Sequence, residues 1–395
     1  MIRIKTILYS FVIILEIILF SFSIVKGNSL EQAVLETDLN PEGTAYEVNV
    51  GADGVIWVSD NLAGEIRGYQ PDGRSAKIFT GLGSVSDARA TVDGIVWFVD
   101  QDKNQLVRLD PLSTSTTSWD IPGTGTVFGT NVDNLGNIWV TKFNDSTIFR
   151  LTPGVGNEAS LCEVNLTTTG YYGSDYIVDA SGNLWVKGNT NQIIYIQPNH
   201  SDVDVTTFSV SDPGAWVFDV EGLSVDGEGG LWFADTSSGR SLVRLVPSPE
   251  PVFKRFPLPS AAGTPYMIAK SNNQIWYSGY GTSVIGKLDP NLVSPTSFEG
   301  TSNLVEDIPM ICNPVIGLEK AISSDSFTPE WIPATYPITE LSGWMITNLG
   351  SDSYPWGIAV QDDIVWSVDQ GRQVLIRVGG DFDNNSYIFL PLVIK

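Results

Sequence analysis

Two sets of side chains recur at fixed offsets from a repeating tryptophan, and together they have the chemistry of a ligand site. Eleven positions before Trp57, Trp97, Trp139, Trp185 and Trp232 stand Tyr46, Ser86, Phe128, Ser174 and Glu221. Around Trp276 and Trp366 the unit is one residue shorter, and the matching positions are Tyr266 and Trp356. Three positions after each Trp stand Asp60, Asp100, Lys142, Gly188, Asp235, Gly279 and Asp369. Aromatic faces beside carboxylates suit sugars, cationic groups or a hydrated divalent cation. Carboxylates gathered without counter-charge repel one another, and bound Ca²⁺ or Mg²⁺ would relieve that. The candidate ligand-binding set is Tyr46, Phe128, Tyr266, Trp356, Asp60, Asp100 and Lys142. Glu221, Asp235 and Asp369 are the candidate catalytic acids. The structural alternative is that the acids cap turns and the aromatics plug a channel.

The elements that must position these groups are short strands. Asp53-Gly-Val-Ile-Trp57-Val-Ser-Asp60 and Asp93-Gly-Ile-Val-Trp97-Phe-Val-Asp100 show the unit, which returns every 40 to 47 residues. The interval from Trp276 to Trp366 is 90 residues. Apolar runs split by Gly, Asp and Asn turns at this period predict an all-β fold, a seven-bladed β-propeller of four-stranded blades. In each blade, strand a leads through an Asp-Gly type turn into the Trp-bearing strand b. Strands a and b are antiparallel, so the start of one and the end of the other meet at one mouth of a central channel. The repeated Trp then belongs to the core between blades.

Residues 33–39 read as a strand without a blade and are expected to close the seventh one. Residues of about 291–340 read as an insertion in blade six, with residues 344–347 as its delayed fourth strand. A degenerate eighth blade is the alternative. Long inserts of this kind tend to carry function.

Composition narrows the function. Asp and Glu total 45 against 22 Lys and Arg, a net charge of −23, which argues against a nucleic-acid partner. There is one His, His200, in the turn Asn199-His200-Ser201, so multi-His metal sites are excluded. The chain opens on Arg3 and Lys5 and continues into an apolar run, residues 7–25, interrupted by Glu16. Residues 1–27 therefore read as a signal peptide, or as an uncleaved N-terminal anchor, the one route to a membrane. Either makes the body secreted or cell-surface. Cys162 and Cys312 either pair or remain two free thiols. Asn144, Asn165, Asn199 and Asn384 head glycosylation sequons. Asp381-Phe-Asp383-Asn-Asn385 resembles half a Ca²⁺ loop but lacks its Gly and Glu, and residues 381–395 form a tail that ends apolar.

Residues 51–57, Pro265-Tyr-Met-Ile-Ala269, Ile285-Gly-Lys-Leu-Asp-Pro290 and Pro355-Trp-Gly-Ile-Ala-Val360 resemble the repeats of the streptogramin B (virginiamycin B) lyases. The resemblance spans about residues 35–390. SMP-30/gluconolactonase and NHL propellers are more distantly similar. The resemblance implies a ring-opening elimination with Mg²⁺ present, using His and Glu of the later blades. Tyr266 and Trp356 stand at the positions of those His. Gly279 and Asp369 stand where acids follow strand b. An elimination needs a base, which neither Tyr266 nor Trp356 readily supplies. The expected function is a non-catalytic binding propeller taking a small molecule, a carbohydrate or a protein. The alternative is a divergent metal-dependent lyase or lactonase, and the gluconolactonase likeness makes Glu47, Asn131, Glu221 and Asp235 its candidate metal ligands.

Overall fold

The computed structural model describes residues 31–167, 171–188, 191–214, 216–248, 250–361 and 364–379. The leader, the residues from 380 on with their Ca²⁺-like segment and the Asn384 sequon, and the side chains of Tyr46 and Ser174 lie outside the described residues.

The first meander shows why these residues fold as they do. Ala45–Val50, Ile56–Asp60, Glu65–Tyr69 and Ala76–Thr80 pair antiparallel in order. The first turn is closed by Gly51 N–H donating to Val55 O at 2.8 Å and by Gly54 at φ 79°. That left-handed conformation is open to glycine at little cost. Gly94, Gly136, Gly182 and Gly229 repeat it at φ 78°, 80°, 85° and 79°. The repeat is thus a repeat of backbone geometry as well as of letters.

Among the described residues the strands form seven such meanders. After the first come residues 85–120, 126–165, 171–210 and 220–257. The sixth is residues 264–288 with Trp344–Asn348 as its fourth strand. The seventh is residues 355–378, and its fourth strand is Glu31–Asp38. The innermost strands touch their neighbours all the way round, so the ring closes. The fold is a β-propeller. The repeat tryptophans are only 0–7% exposed and pack between meanders. Trp57, for example, joins Phe79 of its own unit and Val85, Val96 and Phe98 of the next.

Residues 296–341 form no eighth meander. They leave the sixth after its third strand and run backwards around the outside. Thr296–Ile316 pairs in turn with the outer strands of the fifth, fourth and third meanders. Leu318–Ala321 then adds to the second and Ser323–Phe327 to the first. Ile332–Leu341 adds to the seventh and sixth. The segment is a belt that gives every meander a fifth strand. Sheet twist explains how one strand serves three meanders. Adjacent strands rotate by roughly 20–25°, so four steps outward turn the outermost strand by roughly 80–100°. It then lies along the circumference. Cys162 and Cys312 face each other across this pairing and form a disulfide.

Candidate functional site at the channel mouth

Each innermost strand carries a register irregularity near its mouth end, for example between Pro265 and Ile268 and between Pro355 and Ile358. A bulge of this kind adds a residue and re-aims the side chains beside it. Below the mouth the channel encloses about 270 Å³, lined in part by Glu47, Asn49, Asp87, Arg89, Tyr176 and Lys270. Asp87 sits at φ 53°, unusual for a residue that is not glycine. Its carboxylate accepts from Arg89 Nε at 2.7 Å and from Thr130 N–H at 2.6 Å. Burial works against the Arg89 charge, but Asp87 and Glu47 outweigh it and hold the guanidinium above its ordinary value.

The acids three residues past each Trp are brought to the mouth end, but they turn inward beneath the loops. Asp60 accepts from Thr44 N–H at 2.7 Å and Ala63 N–H at 3.0 Å. Asp100 accepts from the Lys103 and Ser84 amides and forms an ion pair with Lys103. Asp235 accepts from the amides of Asp219 and Ser237, from Trp216 Nε1 at 3.2 Å and from Ser241 Oγ at 2.9 Å. Asp369 accepts from Tyr354 N–H at 2.7 Å, Gly371 N–H at 3.0 Å and Arg372 Nε at 2.8 Å. Lys142 donates to the Pro122 and Ile121 carbonyls. A Cβ on Gly43 would lie 1.9 Å from Asp60, and one on Gly83 would lie 2.2 Å from Asp100. These carboxylates are sealed under the chain and satisfy its orphan amides.

The metal candidates do not converge. Asn131 Oδ1 accepts from Val132 N–H at 3.0 Å, Asp235 is engaged as above, and Glu47 lines the channel. Glu221 pairs with Lys187 at 2.7 Å. Among the described residues no three His, Cys, Asp or Glu side chains gather as an ion site. The donor set does not fit the divalent ion that the resemblance implies. Glu221 holds its proton more tightly than an ordinary carboxyl group. Burial raises its pKa first, Asp219 adds to that, and Lys187 opposes it. His200 is exposed in its turn.

The aromatics do converge. Tyr266 and Trp356 lie 4.7 Å apart between ring centres. Tyr280 joins them at 5.1 Å from Tyr266 and 5.6 Å from Trp356, and Tyr354 packs edge-on against Tyr280 at 5.3 Å. Tyr280 is 43% exposed, so the cluster opens to solvent. Its hydrogen bond with Tyr280, helped by burial, pushes Tyr354 up to about 12. Phe128 packs against the exposed Phe143 at 6.2 Å elsewhere on the mouth. Tyr280, Tyr354 and Lys187 escaped the sequence reading because it took one position per strand. Their signal was available: Tyr280 follows Gly279, and Tyr354 precedes Trp356 by two residues, at the same end of the sheet.

Fold and site define a β-propeller with an aromatic mouth and buried structural acids. The virginiamycin B lyase family matches residues 32–296, and the chain belongs to that family. A virginiamycin B lyase from Staphylococcus aureus superposes with a TM-score of 0.63 at 20% identity, covering 89% of this chain and 100% of that one. A catalytically inactive His-to-Ala form from the same organism, with quinupristin, gives 0.63 at 19% over the same shares. A streptogramin B lyase gives 0.61 at 19%, covering 88% and 98%. At these identities the likeness carries the fold. No curated protein matches the chain in sequence.

Proposed function

We propose that this chain is an exported binding propeller of the virginiamycin B lyase family, in which the mouth recognises a ligand and performs no elimination. The observation that carries this reading is the contact between Tyr266 and Trp356. The two positions matched to the family's His hold aromatic rings packed on each other, with Tyr280 completing an open stacking surface. Neither ring offers a base near neutrality, and Tyr354 is tuned away from ionisation. Such a surface takes a flat or cationic group, or the apolar face of a sugar ring. Export is supported by the positively charged start with its apolar run, and by a disulfide that suits an oxidising compartment.

The test uses quinupristin with Mg²⁺, followed by mass spectrometry, and a panel of oligosaccharides followed by tryptophan fluorescence. The expected result is no ring opening above the uncatalysed rate. Binding of at least one probe should weaken about tenfold in Trp356→Ala and in Tyr280→Ala. Ring opening that Trp356→Ala abolishes would overturn the reading, and so would binding that both variants leave unchanged.

One observation favours a second reading. Glu221 lies at the mouth with its pKa raised by burial, the usual environment of a working acid or base. A divergent lyase would then depend on Glu221, and Glu221→Gln would abolish any turnover found in that assay.

A further inference from the structure

In an antiparallel meander the first and third turns fall at one end and the second turn at the other. The mouth is the second-turn end. The far face is built from the first and third turns, and there the second and third meanders differ from the first, fourth and fifth. Val92, Leu112, Leu135 and Val155 stand on these turns, 87%, 90%, 83% and 88% exposed. The corresponding turns of the first, fourth and fifth meanders carry Asp53, Asp72, Ser181, His200 and Glu228. Between the apolar tips runs a groove of about 980 Å³. Trp97 and Trp119, stacked 5.6 Å apart, form part of its lining. On the rim, the belt adds Ile316 and Leu318, both exposed, on either side of Gly317.

A second observation points to the same face. In the seventh meander Val34 pairs with Val378. The third strand there runs away from the mouth, so the described chain enters near Glu31 and leaves near Gly379 on the far face. In sequence, the apolar residues 7–25 precede that entry, and residues 387–394, Tyr-Ile-Phe-Leu-Pro-Leu-Val-Ile, follow that exit. The described chain therefore begins and ends on the side of the molecule that carries the aliphatic tips of the two meanders.

We propose that the far face docks on a lipid bilayer, with the aliphatic tips seated among the headgroups and the aromatic mouth turned to the medium. Exposed aliphatic side chains gain from entering the apolar boundary of a bilayer. Charge selects the kind of lipid. The chain carries −23, and Asp53, Asp72, Asp93 and Asp110 lie on this face. Anionic headgroups repel such a surface and zwitterionic ones do not.

The experiment uses the full chain with a single added cysteine, Leu135→Cys on the far face or Leu62→Cys on the mouth side, labelled with an environment-sensitive fluorophore. Phosphatidylcholine vesicles should raise and blue-shift the emission at position 135 about threefold and leave position 62 unchanged. Adding phosphatidylglycerol should weaken the response. Leu112→Glu with Val155→Glu should lower vesicle partitioning about tenfold without moving the unfolding midpoint, because both side chains project into solvent. Tethering by the leader alone gives no such contrast between the two labels. Equal responses at 62 and 135, or none at 135, would overturn the proposal. So would a response at 135 that grows with protein concentration without lipid, which would mark the face as an interface between two copies.

Discussion

The ring and the belt are built from the same chain by opposite means. Ring strands are specified by side chains. Ile56–Asp60 and Leu231–Asp235 are buried along their whole length, and the turns that lead into them are fastened by Asp53 and Asp226. The belt's longest strand, Thr296–Ile316, buries only Ile308 and Met310. It is positioned by the outer edges that the meanders leave open. Covering those edges transfers the unpaired edge to the belt, where Pro309, Pro314, Pro333 and Pro337 lack the N–H another strand would need. The family match ends at residue 296, where the belt begins. An edge can thus be closed by a segment whose own sequence says little about strand formation.

The largest effect is expected from breaking a ring fastening. Asp369 is fully buried and accepts from three backbone amides, Ser353 and Arg372. Asp369→Ala strands those donors and should cost about 4 kcal/mol in denaturant unfolding. A loss under about 1 kcal/mol would mean that water replaces the carboxylate and that the ring is not held by these acids. Next comes the belt's main anchor. Trp331 packs with Tyr69 and Trp366 and donates to Gly73 O at 2.8 Å. Trp331→Ala should cost about 3 kcal/mol. Amide exchange should accelerate in residues 323–341 while residues 56–60 stay protected. Equal acceleration in both would make ring and belt a single cooperative unit.

That contrast also explains what could be read from sequence. The inner strands, the Asp-Gly turns, the closing strand at residues 31–38 and the fourth strand at Trp344 all left a periodic or apolar trace. The belt did not, because residues 296–327 are mostly exposed and carry no alternation that separates strand from loop. The partnership of Cys162 and Cys312 was equally hidden, since only the belt's register brings them together. At the mouth, counting from each Trp located Tyr266 and Trp356. It also located the acids, but an offset places a residue along a strand and does not say whether its oxygens face a ligand or a backbone amide. The turns that follow, such as Asp60-Asn-Leu-Ala-Gly64 and Asp369-Gln-Gly371, held the clue: an Asp opening a tight loop accepts from that loop's amides.

The disulfide comes third. Cys162→Ser with Cys312→Ser releases a link across 150 residues and should cost about 2 kcal/mol. The loosening should concentrate in residues 300–316, and a stability unchanged within error would show that backbone pairing alone seats the belt.

The smallest effect tests a ring turn through its charge. Asp226 accepts from Gly230 N–H at 2.7 Å, Glu228 N–H at 2.9 Å and Arg244 Nε at 2.6 Å. Burial disfavours its charge, but these bonds outweigh burial and hold the carboxyl below the usual range. The unfolded chain takes up this proton near pH 3.9, before the folded chain does. The stabilisation is therefore complete above that pH and is lost as pH falls through the lowered value. Asp226→Asn has no such proton to take up. Its unfolding midpoint should be lower than that of the unsubstituted chain at pH 7, and the two curves should converge between about pH 4 and pH 2. Parallel curves across that window would show that this turn is held by its backbone alone, as the belt is.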